Sequence, residues 1–81
     1  MNTNNVIRYF ITHEMLHGSL TSTLGDDDPL VESGIIDSLG IMTLLSFLEE
    51  KFSIQISGDD LIPENFESIS TIVDLIERYQ A

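Results

Sequence analysis

Two stretches of this chain carry residue types that could do chemistry. The first is Asp37-Ser38-Leu39. A serine hydroxyl becomes a nucleophile when a base takes its proton, yet Ser38 has no histidine or lysine beside it in sequence. The G-x-S-x-G elbow that exposes a hydrolase serine is also absent. Ser38 is left as a helix cap or as an acceptor of a modification. The second stretch is His13-Glu14-Met15-Leu16-His17, which matches the H-E-x-x-H zinc-hydrolase pattern. On a helix His13 and His17 share a face, with Glu14 placed to activate a zinc-bound water. Such a metallopeptidase needs a third ligand, and Glu32 or an aspartate of the following loop would have to be recruited for it. Met15 and Leu16 have the character of core residues, so His13 and His17 are expected to be surface or boundary histidines. No catalytic residue and no metal ligand is assigned. A run of aspartates, Asp26-Asp27-Asp28, suggests calcium, but the EF-hand loop needs alternating ligands and a glycine at its sixth position, where a count from Asp26 finds Val31. A solvated acidic turn is the expectation there.

The elements that must position these residues follow from apolar spacing. Asn2, Thr3 and Asn4 are N-cap candidates, and Val6, Ile7, Phe10, Ile11, Met15 and Leu16 form a helical stripe. A first helix is predicted from about Asn4 to His17, with Gly18 stopping it. From Gly18 to Asp37 no periodicity is sustained. Leu20, Leu24, Leu30, Val31, Ile35 and Ile36 can plug the open side of a bundle, and Gly25 to Pro29 is turn chemistry. Asp37 or Ser38 can cap the next helix, in which Ile41, Leu44, Leu45, Leu48 and Phe52 make one apolar face. At about 100° per residue, Leu39 and Phe47 fall off that face. Two large apolar residues on an outer side advertise a contact surface.

Phe52 to Ser57 alternates like a half-buried strand, but no other stretch offers it a pairing partner. It is expected to be an extended connector inserting Ile54 and Ile56 into the core. Ser57 fits the cap of a short helix through Asp60, and Pro63 ends that turn or opens another through Phe66. Ile69, Ile72, Val73, Ile76 and Tyr79 mark the last helix, with Ser68 as its N-cap. The sum is an all-α fold: a small four-helix bundle of three main helices and a short third one, with a long loop between the first two. Residues 1–81 read as a single domain.

With 81 residues the core is near the smallest that suffices without staples, and there is no cysteine to supply them. A hydrophobic fraction of 42% argues against disorder. Lysine and arginine number 3 against 14 acidic residues, a net charge of −11. That repels phosphate backbones and argues against nucleic-acid binding, while favouring partners with basic docking patches. No apolar run approaches the length of a membrane span, and Met1 to Arg8 lacks the pattern of a signal peptide. A monomer in the cytoplasm is the expectation.

Asp37-Ser38-Leu39 is preceded by Gly34-Ile35-Ile36 and followed by a leucine-rich helix ending Glu49-Glu50-Lys51-Phe52. In this context it resembles the acyl/peptidyl carrier protein family. The resemblance spans nearly the whole chain, including Asp60-Leu61-Ile62-Pro63-Glu64-Asn65-Phe66 and the closing helix. It implies that Ser38, flanked by Asp37 and Leu39, carries 4′-phosphopantetheine transferred from coenzyme A. The arm's thiol would hold an acyl or aminoacyl group as a thioester. The protein would then be a non-catalytic carrier. A phosphodiester on Ser38 would lie at a helix N-terminus, where N–H groups and the dipole favour negative charge. The implied partners are a phosphopantetheinyl transferase, a loading ligase or adenylation enzyme, and downstream acyl-processing enzymes. Leu39, Met42 and Phe47, with Glu49 and Glu50, are the residues expected to meet them. Fatty-acid carriers usually place acids directly after this motif and again three residues on, where Gly40 and Thr43 stand here. That is more similar to stand-alone aminoacyl carriers such as the D-alanyl carriers. An unmodified acidic interaction module is the remaining alternative.

Overall fold

The computed structural model describes residues 2–15 and 24–80. Its elements are helical throughout, with no strand among the described residues. The first helix, α1, runs Thr3–Tyr9 and is capped by Asn2, whose side chain accepts the Asn5 N–H at 2.8 Å. It continues as a π-helical turn, Phe10–Met15. The helix expected through this stretch is present as far as Met15, with its second half wound as a π-helix. The apolar spacing of Val6, Ile7, Phe10 and Ile11 fits either form, so periodicity could not tell them apart. Leu16, His17, Gly18 and Leu20 lie outside the described residues, as does the expected end of this helix.

From Leu24 onward the long loop is bound to the bundle by both its side chains and its backbone. Leu24, Leu30 and Ile36 are buried, and Val31 and Ile35 pack against the core. Gly25 and Asp28 close the expected turn, the Gly25 N–H donating to Asp28 Oδ2 at 2.7 Å. Asp26, however, is no idle solvated acid. It pairs with Arg8 and accepts from Asn4 Nδ2 at 3.2 Å, while its backbone oxygen accepts the Ser70 N–H at 2.9 Å. Ser70 also donates its hydroxyl to Asp27 Oδ1 at 3.1 Å. Arg8 Nε donates to the Leu24 carbonyl at 2.7 Å, and the Leu30 N–H reaches the Glu67 carbonyl at 2.7 Å.

Helix α2 spans Ser38–Phe52 and α3 spans Ile69–Gln80. Leu44, Leu45 and Leu48 of α2 are buried, with Ile41 and Phe52 packed at the margin, as the stripe predicts. Ser53 ends α2 in the left-handed region with φ 55°, a position glycine usually fills. The connector follows as expected, with Ile56 buried and Ile54 half-buried. The short third helix exists as successive 3₁₀ turns, Gly58–Asp60 capped by Ser57 and Pro63–Phe66 carrying the fully buried Phe66. Ser68 and Thr71 exchange hydrogen bonds at the start of α3, the Thr71 N–H reaching Ser68 Oγ at 3.3 Å. Besides the expected stripe, α3 buries Leu75 completely, because this helix is covered by α1, the loop and the 3₁₀ turns and so needs a wider apolar face. At its far end the Tyr79 hydroxyl accepts the Ser57 N–H at 2.9 Å and donates to Asp60.

Candidate functional site

The start of α2 is built by a local device. Asp37 is extended and its Oδ1 accepts the Gly40 N–H at 2.8 Å, while its carbonyl accepts the Ile41 N–H at 2.8 Å. Asp37 is thus the cap, and Ser38 becomes the first helical residue. Ser38 is exposed. A neighbouring turn is set by Gly34, whose φ of +81° strains any residue bearing a side chain.

The surface beside Ser38 is apolar and solvated. Leu39 is 75% exposed and Met42 50% exposed. The outward position expected for Phe47 is corrected, since it is half-buried and its ring stacks on Phe10 with centroids 4.0 Å apart. That contact needs the π-helical turn against α2, which α2's own periodicity could not reveal. The carboxylates also separate. Glu50 is exposed, whereas Glu49 is half-buried and its Oε2 accepts the Ile56 N–H at 2.9 Å, tying the connector to α2. Sequence reasoning did not single out Ile62, which is 42% exposed just before Pro63. It stands in a stretch without periodicity, so no pattern marked it.

A groove of about 360 Å³ opens next to Ser38, lined by Glu14, Gly34, Ile35, Leu39, Gly40 and Thr43, among others. His13 is exposed and stacked on Tyr9 with ring centroids 4.2 Å apart. His17 lies outside the described residues, and these contain no group of three or more His, Cys, Asp or Glu able to hold a metal ion.

What the start of α2 can do chemically is limited and specific. An exposed primary hydroxyl at the first turn of a 15-residue helix can bear a phosphodiester, where unpaired backbone N–H groups and the helix dipole favour the added charge. These residues therefore fit a phosphate-linked arm. A family profile described as "Phosphopantetheine attachment site" matches residues 18–78. The chain belongs to the acyl carrier protein family.

As a carrier it is 33% identical over 58 residues to the probable acyl carrier protein PigG of Serratia sp., covering 72% of this chain and 67% of that one. It is 34% identical over 62 residues to the acyl carrier protein of Buchnera aphidicola, covering 76% of this chain and 77% of that one. A chain in a solved structure described as "Crystal structure of FAD-dependent dehydrogenase" superposes with a TM-score of 0.77 at 31% identity. The match covers 86% of this chain and 97% of that one. The carrier holds acyl groups on a covalently attached 4′-phosphopantetheine arm and works with partner enzymes such as synthetases and transferases. The metallopeptidase reading of His13, Glu14 and His17 finds no support in these relatives. Among the described residues no helix is long and apolar enough to cross a membrane.

Proposed function

We propose that Ser38 is the attachment point of the arm, and that residues 1–81 act as one non-catalytic, monomeric carrier unit in the cytoplasm. The observation that carries this reading is the exposed Ser38 at the first helical position, directly after the Asp37 cap and before the exposed Leu39. When bound, the arm supplies a terminal thiol on which an acyl or aminoacyl group is held as a thioester. The chain's own residues hold and display. Asp37 fixes the helix start through Gly40, the first-turn N–H groups favour the phosphate, and Leu39 and Met42 offer apolar surface to the enzymes that attach, load and unload the arm.

The partners are a phosphopantetheinyl transferase, a loading ligase or adenylation enzyme, and downstream acyl-processing enzymes. Glu50, more than the internally bonded Glu49, steers their basic patches. Neutral Gly40 and Thr43 beside Ser38 support an aminoacyl cargo over a fatty one, as in stand-alone aminoacyl carriers. The carrier-sized chain matched in the FAD-dependent dehydrogenase structure supports counting a flavin enzyme that oxidises the carried group among the clients. Intact mass after incubation with a transferase, coenzyme A and Mg²⁺ tests the attachment. Wild type gains one phosphopantetheinyl group and Ser38→Ala gains none. Persistent modification of Ser38→Ala, or its mapping to Ser33 or Ser46, overturns the assignment.

A further inference from the structure

Glu14 belongs to the H-E-x-x-H stretch, which the carrier role does not use. It is exposed in the π-helical turn, yet it lines the same groove as Asp37 and Leu39, the chain neighbours of Ser38. The fold thus brings a carboxylate from the π-helical turn into the groove that Asp37 and Leu39 line on either side of the attachment position. Asp37 is committed to its cap through the Gly40 N–H. Among the described residues the groove has these two carboxylates and no cationic side chain along its wall.

The groove is small, open and of mixed polarity. A long alkyl chain laid there would keep much of its surface in water and gain little. An anionic group would meet like charge. A short cargo end bearing a positive charge loses little by staying half-solvated and gains a charge-assisted hydrogen bond. Gly34, with nothing within 4 Å of the place a Cβ would take, leaves room along the wall, and Ile35 and Leu39 offer apolar surface to a small side chain.

The geometry points to this groove as the resting place of an aminoacyl group on the folded-back arm, its α-ammonium group paired with Glu14. The inference rests on Ser38 bearing the arm and deepens the reading of the cargo. Nothing covalent changes at Glu14, which positions the cargo and takes no part in loading it.

The test uses the full chain, loaded by a transferase with coenzyme A analogues that end in a hydrolysis-resistant amide of alanine, N-acetylalanine or hexanoate. Intact mass first establishes one arm per chain, and a protein that accepts none overturns the attachment reading itself. Amide ¹⁵N and ¹H shifts are then compared with those of the arm-bearing protein without cargo. The alanyl arm is expected to shift Gly34, Gly40 and Thr43, while the N-acetylalanyl and hexanoyl arms leave them near their starting positions. Glu14→Gln is expected to lose most of the alanyl shift, and Asp74→Asn, on the exposed face of α3, to keep it. Correctly loaded protein that shows no alanyl shift, equal shifts with N-acetylalanine, or a full shift in Glu14→Gln contradicts the pairing and leaves the attachment reading standing.

Discussion

The two ends of the molecule are held in different ways. Around α1, the loop and the start of α3, hydrogen bonds connect residues far apart in sequence. Arg8 reaches Leu24 and Asp26, Leu30 reaches Glu67, and Ser70 is held by both Asp26 and Asp27. Around the start of α2 the bonds are local: Gly40 to Asp37, Ile41 to Asp37, and Thr43 Oγ1 to the Leu39 carbonyl at 3.2 Å. The first region also carries fully buried Ile7, Ile11, Leu30, Ile69 and Ile72, whereas the second shows Leu39 and Met42 to solvent. A carrier must offer its modified residue to several enzymes in turn. A surface held by its own helix cap can do this without disturbing the rest, and the cross-linked side supplies the stability. The difference teaches that the cross-linked scaffold and the proposed docking end are separable in so small a chain.

The largest expected effect breaks the scaffold alone. Ile72→Ala removes a fully buried side chain and should destabilise the fold by about 2–5 kcal/mol in denaturant unfolding. The fraction that stays folded should still accept the arm at near wild-type rate. A loss of modification that exceeds the loss of folded protein would break the separation.

A smaller effect is expected at the docking end. Leu39→Ala should leave stability within about 0.5 kcal/mol, since the side chain is largely solvated. It should nevertheless cost on the order of 1–2 kcal/mol of binding to the transferase. Glu50→Gln should cost less, mostly in association rate, and its effect should fade as salt rises. Modification kinetics of both variants at low and high salt sharpen the comparison. A Glu50→Gln defect larger than that of Leu39→Ala at both salts would show charge to be the main anchor.

The smallest effect concerns Tyr79. Its hydroxyl is held above the ordinary tyrosine value, first by its hydrogen bond to the Asp60 carboxylate. A raised value in the fold means that folding favours the neutral phenol. Its contribution is therefore complete below the unfolded value of about 10 and is lost as pH rises through the folded one. Unfolding followed from pH 8 upward should show an alkaline loss that Tyr79→Phe lacks. An identical pH profile for the two proteins would remove Tyr79 from the scaffold's account.

Elements governed by local rules were legible in the sequence. The caps at Asp37, Ser57 and Ser68, the stripes of α2 and α3, and the inserted Ile56 all follow from side chains acting on their own turn or on a single face. What stayed hidden depends on partners distant in the chain. Phe47 is drawn inward by Phe10, Glu49 is turned toward Ile56, and the acidic turn is bound to Arg8 and Ser70. The π-helical turn leaves no mark because the apolar positions of α1 satisfy either winding. Glu14 was conspicuous as part of a zinc pattern, yet its place in one groove with Asp37 and Leu39 comes only from how the π-helical turn meets the start of α2.

Native-state hydrogen exchange tests the separation of scaffold and docking end most directly. Amides of Leu39 to Met42 should exchange through local openings that cost far less than global unfolding, while those of Ile72 to Ile76 should exchange only when the whole domain unfolds. Small additions of denaturant should therefore accelerate α3 and leave the start of α2 unchanged. Equal protection in both segments, rising and falling together with denaturant, would contradict the account.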